Sequence, residues 1–325
     1  YRDNANNEVK MMAYEKMADV NARWAKYLVD YNLGDKNQIR QLYTNSIAIL
    51  DTIIDDYSYY RRIDQIYLRK AELSFDQIYD LAEAKRAVES FKMMPNKSGT
   101  AQAHYLDGRL HLAENEFTMA RIELTRSNRL AGTGELAEKT RYFLALTDFY
   151  SGDFEFANIQ LKTLSRRNTS FYANDALSLR LWVQKGLTVD TTGAQLQEFA
   201  DAHFALYTGN EEKAEQIFLS ILGSSEPNPL KEDALIYLSK SATTTESYNE
   251  IITNFITSTP TTTFLEQLLW LKAQAIEGQL AQDGFNADNH ERLLDTYLRI
   301  IEEFPAGFYA PYVRLKLNDL SKVNS

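Results

Sequence analysis

The sequence predicts an all-α fold, a superhelical solenoid of antiparallel helix pairs, and three observations predict it. Apolar residues recur at three- and four-residue spacing almost throughout, and no segment sustains the period-two alternation of a half-buried strand. Gly (13) and Pro (6) are scarce among 325 residues, whereas a chain made of many tight turns needs both. A small residue followed by bulky residues four and seven positions later returns along the chain, as in a stacked repeat.

The elements follow in order. Residues Glu8 to Asn32 read as one long helix, with Val9, Met12, Met17, Val20, Trp24, Tyr27 and Leu28 at helical spacing, broken by Leu33-Gly34-Asp35. A second helix runs from Gln38 to about Tyr57. YYRRIDQIYLRKAELSF suggests a third, and LAEAKRAVESFKMM a fourth that Pro95 ends. The small residues of the repeat are Ala84, Ala120, Ala157 and Ala214. Ser46 extends the pattern backwards with Leu50 and Ile53, and Leu293, Tyr297 and Ile300 extend it forwards. The small residue lets the second helix of a pair approach the first, and the residues four and seven on close the same seam. No such pair buries its apolar face alone, so pairs stack.

The wider gap between Ala157 and Ala214 leaves room for an extra helix near Phe171–Lys185. The Gly- and Thr-rich stretch 186–193 falls in this gap and is the candidate hinge, dividing an array over 1–187 from an acidic array over 194–325. Softer stretches are expected at Ser239–Thr245, Thr257–Thr263 and Gln282–Asn289. The tripeptide Phe-Tyr-Ala occurs twice, at Phe171-Tyr172-Ala173 and Phe308-Tyr309-Ala310. Both copies follow the end of a second helix, so they are expected to open a helical unit and to pack between repeats.

These residues resemble the tetratricopeptide repeat (TPR). The best match is RYFLALTDFYSGDFEFANIQLKTL, with Leu144, Ala145, Gly152, Phe154, Ala157, Leu161 and Leu164 on consensus places. A second lies over 103–124, with Gly108, Phe117, Ala120 and Leu124. The resemblance implies a right-handed superhelix of about six pairs whose first helices line a concave groove. The groove-facing places then fall on Arg69, Tyr105, Arg109, Tyr142, Phe149, Tyr150, Phe199, His203 and Tyr207, and aromatic plus Arg is the composition of interface hot spots. The turn-Phe-Tyr-Ala-helix arrangement is similar to TPR proteins of the bacterial envelope, which implies a periplasmic or outer-membrane-associated location.

Composition narrows the chemistry. There is no cysteine, which excludes disulfides, thiolate nucleophiles and Cys-ligated metal sites. The net charge is −10. Residues 1–197 balance, 26 acidic against 26 basic, and residues 198–325 carry 19 acidic and 9 basic. An acidic body repels nucleic-acid phosphates and anionic headgroups. No apolar run approaches the roughly 20 residues that span a bilayer. The chain opens on YRDNANNE, without Met or a signal-peptide pattern, as expected of a processed product or an excised piece. No phosphate-cradling glycine loop, HExxH or GxSxG is present. His104 and His111 stand seven apart and read as helix-surface histidines. The adjacent acids Asp55-Asp56, Glu211-Glu212 and Glu302-Glu303 point about 100° apart on a helix and read as solvated charge. Trp24, Trp182 and Trp270 sit among apolar positions and are expected to pack in cores.

The reading that follows is a non-catalytic scaffold without cofactor or metal, binding a protein or peptide in a concave groove. The alternatives are a carbohydrate-binding or carbohydrate-processing helical protein of the envelope, and a structural subunit of a larger complex. Aromatic side chains exposed around an acidic dyad would favour glycan; mixed Arg and Tyr would favour peptide.

Overall fold

The computed structural model describes residues 2–31, 33–166, 172–224, 226–241, 245–284 and 286–323, and it is all-helical over them. The chain divides into two compact units, Tyr1–Leu230 and Lys231–Ser325. The stretch 186–193 lies inside the first unit. There the helix over Ala173–Val189 continues through Gly186, because that glycine is the contact point for Leu196 of the next helix rather than a break.

The first unit contains α1 (Arg2–Tyr31), α2 (Lys36–Asp56), α3 (Ile63–Leu73) with a one-turn π segment (Ser74–Ile78), and α4 (Leu81–Met93). It continues with α5 (Ala101–Ala113), α6 (Phe117–Ala131), α7 (Glu135–Tyr150), α8 (Phe154–Leu164), α9 (Ala173–Val189), α10 (Ala194–Tyr207) and α11 (Glu211–Gly223). Packing is consecutive: α1 on α2, α3 on α4, α5 on α6, α7 on α8 and α10 on α11, with α9 as the unpaired extra helix against α8. Side-chain caps fix several starts. Asp35 accepts from the Gln38 N–H, Asp80 from Glu83 and Asn210 from Lys213, satisfying donors that a helix start leaves open.

The seam residues behave as their spacing requires. Ala84, Val88, Ala120, Leu124, Ala157, Leu161, Ala214, Phe218 and Ile221 are all fully buried. Where Ser46 replaces the alanine, its hydroxyl donates to the Ala18 carbonyl of the paired helix at 2.8 Å. Gly108 supplies the matching small surface on a first helix: a Cβ there would lie 2.6 Å from Leu124 Cγ. Gly108→Val is expected to destabilise by about 1–3 kcal/mol through overpacking, read as a lower urea midpoint at unchanged slope.

The turn inside each pair also repeats. The residue five before the small one is left-handed in four units: Tyr79 (φ 59°), Asn115 (φ 65°), Gly152 (φ 84°) and Gly209 (φ 74°). The next N–H closes the preceding helix in each case, Asp80 onto Ser74, Glu116 onto His111, Asp153 onto Asp148 and Asn210 onto Ala205, as in a Schellman-type end.

The second unit contains α12 (Lys231–Ser241), α13 (Thr245–Ser258), α14 (Leu265–Asp283), α15 (Ala287–Glu303) and α16 (Ala310–Val323), with α13 to α16 packed in sequence. Leu293, Tyr297 and Ile300 are buried. The connection between α14 and α15 is shorter than Gln282–Asn289, because α14 runs to Asp283 and Asn286 caps α15. The two Phe-Tyr-Ala tyrosines have matching roles. Tyr309 stacks on Trp270 at 5.0 Å, and Tyr172 stacks on Tyr142 at 4.9 Å; Phe171 lies outside the described residues. No helix among the described residues is long and apolar enough to cross a membrane.

Candidate functional site: an aromatic wall around Arg109

Inside the first unit, helices far apart in sequence converge. Arg109 of α5 is 1% exposed. Its Nε donates to the Tyr207 hydroxyl of α10 at 3.0 Å, and an Nη donates to the Tyr105 hydroxyl one turn back at 3.1 Å. The other Nη pairs with the Asp76 carboxylate of the π segment. The guanidinium lies 3.8 Å from the Phe143 ring centre and 5.3 Å from that of Phe75. Burial opposes its charge, yet Asp76 and the two tyrosine hydroxyls hold its pKa well above the usual arginine value. Burial raises the Tyr105 hydroxyl strongly. A buried guanidinium is tolerated only when its donors are met, and aromatic faces supply further cation–π attraction.

Most residues assigned to the groove from the repeat register come together here. Tyr150 meets the His203 Nδ1 at 2.9 Å, and its ring lies 5.7 Å from Tyr207. Phe149 packs on Tyr150, Phe154 and His203; Phe199 packs on Trp182 and Phe218. Tyr142 stacks on Tyr172. Exposure divides the set. Tyr105, Arg109, Phe149, Tyr150 and Phe199 are buried, whereas Tyr142, His203 and Tyr207 are half-buried. Arg69 is engaged with Asp19 of α1 at 3.9 Å. Of the tryptophans, Trp270 is buried, but Trp24 is 49% exposed and does not pack in a core. The face of α1 that packs is the alanine face, because close approach to α2 selects small side chains.

The wall also includes residues that the register did not single out. Asp76 is about one-third exposed. Glu72 is paired to Lys139 at 3.2 Å. Phe75, Tyr79, Leu81, Ala113, Tyr207 and Thr208 line a small recess open to solvent. Tyr79 occupies a left-handed backbone position that a bulky side chain rarely adopts, at a cost of about 1–3 kcal/mol. Its ring rests on Gly209, where a Cβ would lie 2.6 Å away. The sequence did carry a signal for it: equivalent turn positions hold Asn115, Gly152 and Gly209, and only this unit places an aromatic there.

Burial pushes His203 down to about 4, against about 6.5 in an unfolded chain. The unfolded state therefore binds the extra proton between those values. Stability from this site is full above pH 6.5 and falls as pH drops towards 4. Substituting His203→Gln is expected to flatten that interval of a stability–pH profile, and NMR of the ring nitrogens should show a neutral imidazole at pH 5.5.

His111 and His104 lie on the α5 surface, each beside a carboxylate, Glu116 and Glu123, at 2.6 Å. Ligand atoms of His111, Glu114 and Glu116 lie within 4.8 Å of one another, and Glu114 is already paired with Lys85 at 2.5 Å. In comparisons with known proteins, no family model and no curated sequence matches the chain, so the tetratricopeptide likeness rests on its own residues and helix pairing.

Proposed function

We propose that the chain is a non-catalytic scaffold, a right-handed tetratricopeptide-like superhelix of the bacterial envelope, that holds a protein or peptide partner on the half-exposed wall over Arg109. The observation that carries this reading is the recess beside Asp76, with strained Tyr79 as one wall and Tyr207 as the other. Backbone strain of this kind concentrates where a surface is preorganised for a ligand. The recess is small, open to solvent and lined by the rings of Phe75, Tyr79 and Tyr207 with Leu81, so it suits one apolar side chain of a partner rather than a whole small molecule. The wall carboxylates Asp76 and Glu72 are both ion-paired, to Arg109 and Lys139, which favours mixed Arg–Tyr peptide recognition over a free acidic dyad acting on glycan. The buried base beneath the wall keeps the ordering cost of binding low.

The test compares the wild type with Ala113→Phe, which fills the recess at a half-exposed position. Affinity capture from the source organism should recover a partner with the wild type and lose it with Ala113→Phe at unchanged circular dichroism. Measurable glycan turnover with no recovered partner would overturn the reading in favour of the carbohydrate alternative.

A further inference from the structure

A second surface lies on α1, away from the recess. Counting 3.6 residues per turn, Val9, Met12, Met17, Val20 and Trp24 share one face of this 30-residue helix. Each is about half or more exposed, from 48% at Met12 to 66% at Val9 and Val20. The opposite face, with Met11, Ala18, Ala22 and Ala25, is buried in the core that α1 shares with α2. The outward face is therefore not left over from packing. It is a second apolar stripe, extended at its end by Tyr27, whose ring stacks on Trp24 at 5.5 Å.

Two cations lie within the stripe and not along its edges. Lys16 and Arg23 are seven residues apart, and on the helical wheel both fall between Met12 and Val9. Lys16 is 73% exposed, and its ion-pair partner among the described residues is Asp19, at 3.9 Å. Arg23 makes no ion pair among the described residues.

This charge pattern selects the occupant. A second copy of α1 pairing about a two-fold axis at the stripe's midpoint would set Lys16 beside Lys16 of its mate and Arg23 level with its mate's Lys10, and parallel pairing would set each cation against its own kind. Both juxtapose like charges. Insertion into a lipid surface would drive both cations towards the acyl boundary, whereas membrane-surface helices carry them on the polar face. An amphipathic helix from another protein, with carboxylates seven residues apart beside its apolar seam, satisfies stripe and cations together. We infer that the outward face of α1 is a docking site for an acidic amphipathic helix of a partner protein.

The experiment uses the full chain and a designed 28-residue helical peptide with Leu at the seam positions and Glu at the flanking positions seven apart. A matched peptide carries Lys in place of Glu. By calorimetry, the Glu peptide should bind at least tenfold more tightly than the Lys peptide. Val20→Asp should weaken it at least tenfold, and the double variant Lys16→Glu, Arg23→Glu should reverse the preference. All three positions are exposed, and circular dichroism confirms that each variant is folded. Ala113→Phe should leave this binding unchanged, which separates the surface from the recess. Equal affinity for the two peptides, no binding of either, or binding that survives Val20→Asp would each overturn the inference. So would a concentration-dependent dimer that Val20→Asp abolishes, or tighter association with phosphatidylglycerol vesicles than with the Glu peptide.

Discussion

Arg109→Ala is expected to cost the first unit about 3–5 kcal/mol, the range for removing one partner of a buried ion pair. Three losses combine. The Tyr105 hydroxyl, buried at 1% exposure, is left without its 3.1 Å donor. The Asp76 carboxylate loses its cation, although its partial exposure allows water to replace some of that interaction. The space between Phe143 and Phe75 opens into a cavity. Arg109→Met separates these contributions, because it keeps much of the volume and removes the charge; it should cost roughly half as much. Urea unfolding followed by far-ultraviolet circular dichroism measures both. Equal losses for the two variants would assign the whole effect to charge, and a loss under about 1 kcal/mol for Arg109→Ala would show that the cluster does not hold the unit together.

The second large effect belongs to Phe149. Its side chain is fully buried, with ring centres of Tyr150, Phe154 and His203 at 5.7, 5.8 and 6.4 Å. Phe149→Ala is expected to destabilise by about 3–5 kcal/mol, the range for truncating a buried aromatic. Phe149→Leu should cost about 1–2 kcal/mol, since it retains most of the apolar area. The truncation should also release His203. The imidazole would then titrate closer to its ordinary value, a shift visible by NMR even if the stability loss is smaller than expected.

The fold was legible because its determinants are local. The small residue and its followers at four and seven positions identify the second helix of each pair, and the same residues are buried wherever the pattern was traced, from Ser46 to Ile300. The extra helix followed from a gap in the spacing. Less legible was anything that depends on how far the stack curves. The register placed Tyr105, Arg109 and Tyr150 on the inner face, but the spacing of side chains along one helix says nothing of what another helix brings opposite. Tyr207, 98 residues from Arg109, accepts its hydrogen bond, a partner that the spacing along α5 could not reveal. The face of α1 misled for a different reason: it carries two apolar stripes, and the one with larger residues is outward. Hydrophobicity favoured Val9, Val20 and Trp24 for burial, whereas the close approach of α2 selects the alanines.

Stacked repeats ordinarily interact only with their neighbours, so such arrays unravel from either end one unit at a time. The first unit breaks that rule. Lys36 at the start of α2 is 2.7 Å from Glu211 at the start of α11, Tyr79 rests on Gly209, and Arg109 is completed by Tyr207. These ties join the last helices of the unit to its start and middle, so loss of α10 and α11 would expose a buried cation far upstream. The unit should therefore fold and unfold as one cooperative block, with the slower kinetics that long-range closure imposes. Shortening it by whole repeats, which many solenoids tolerate, should abolish folding here.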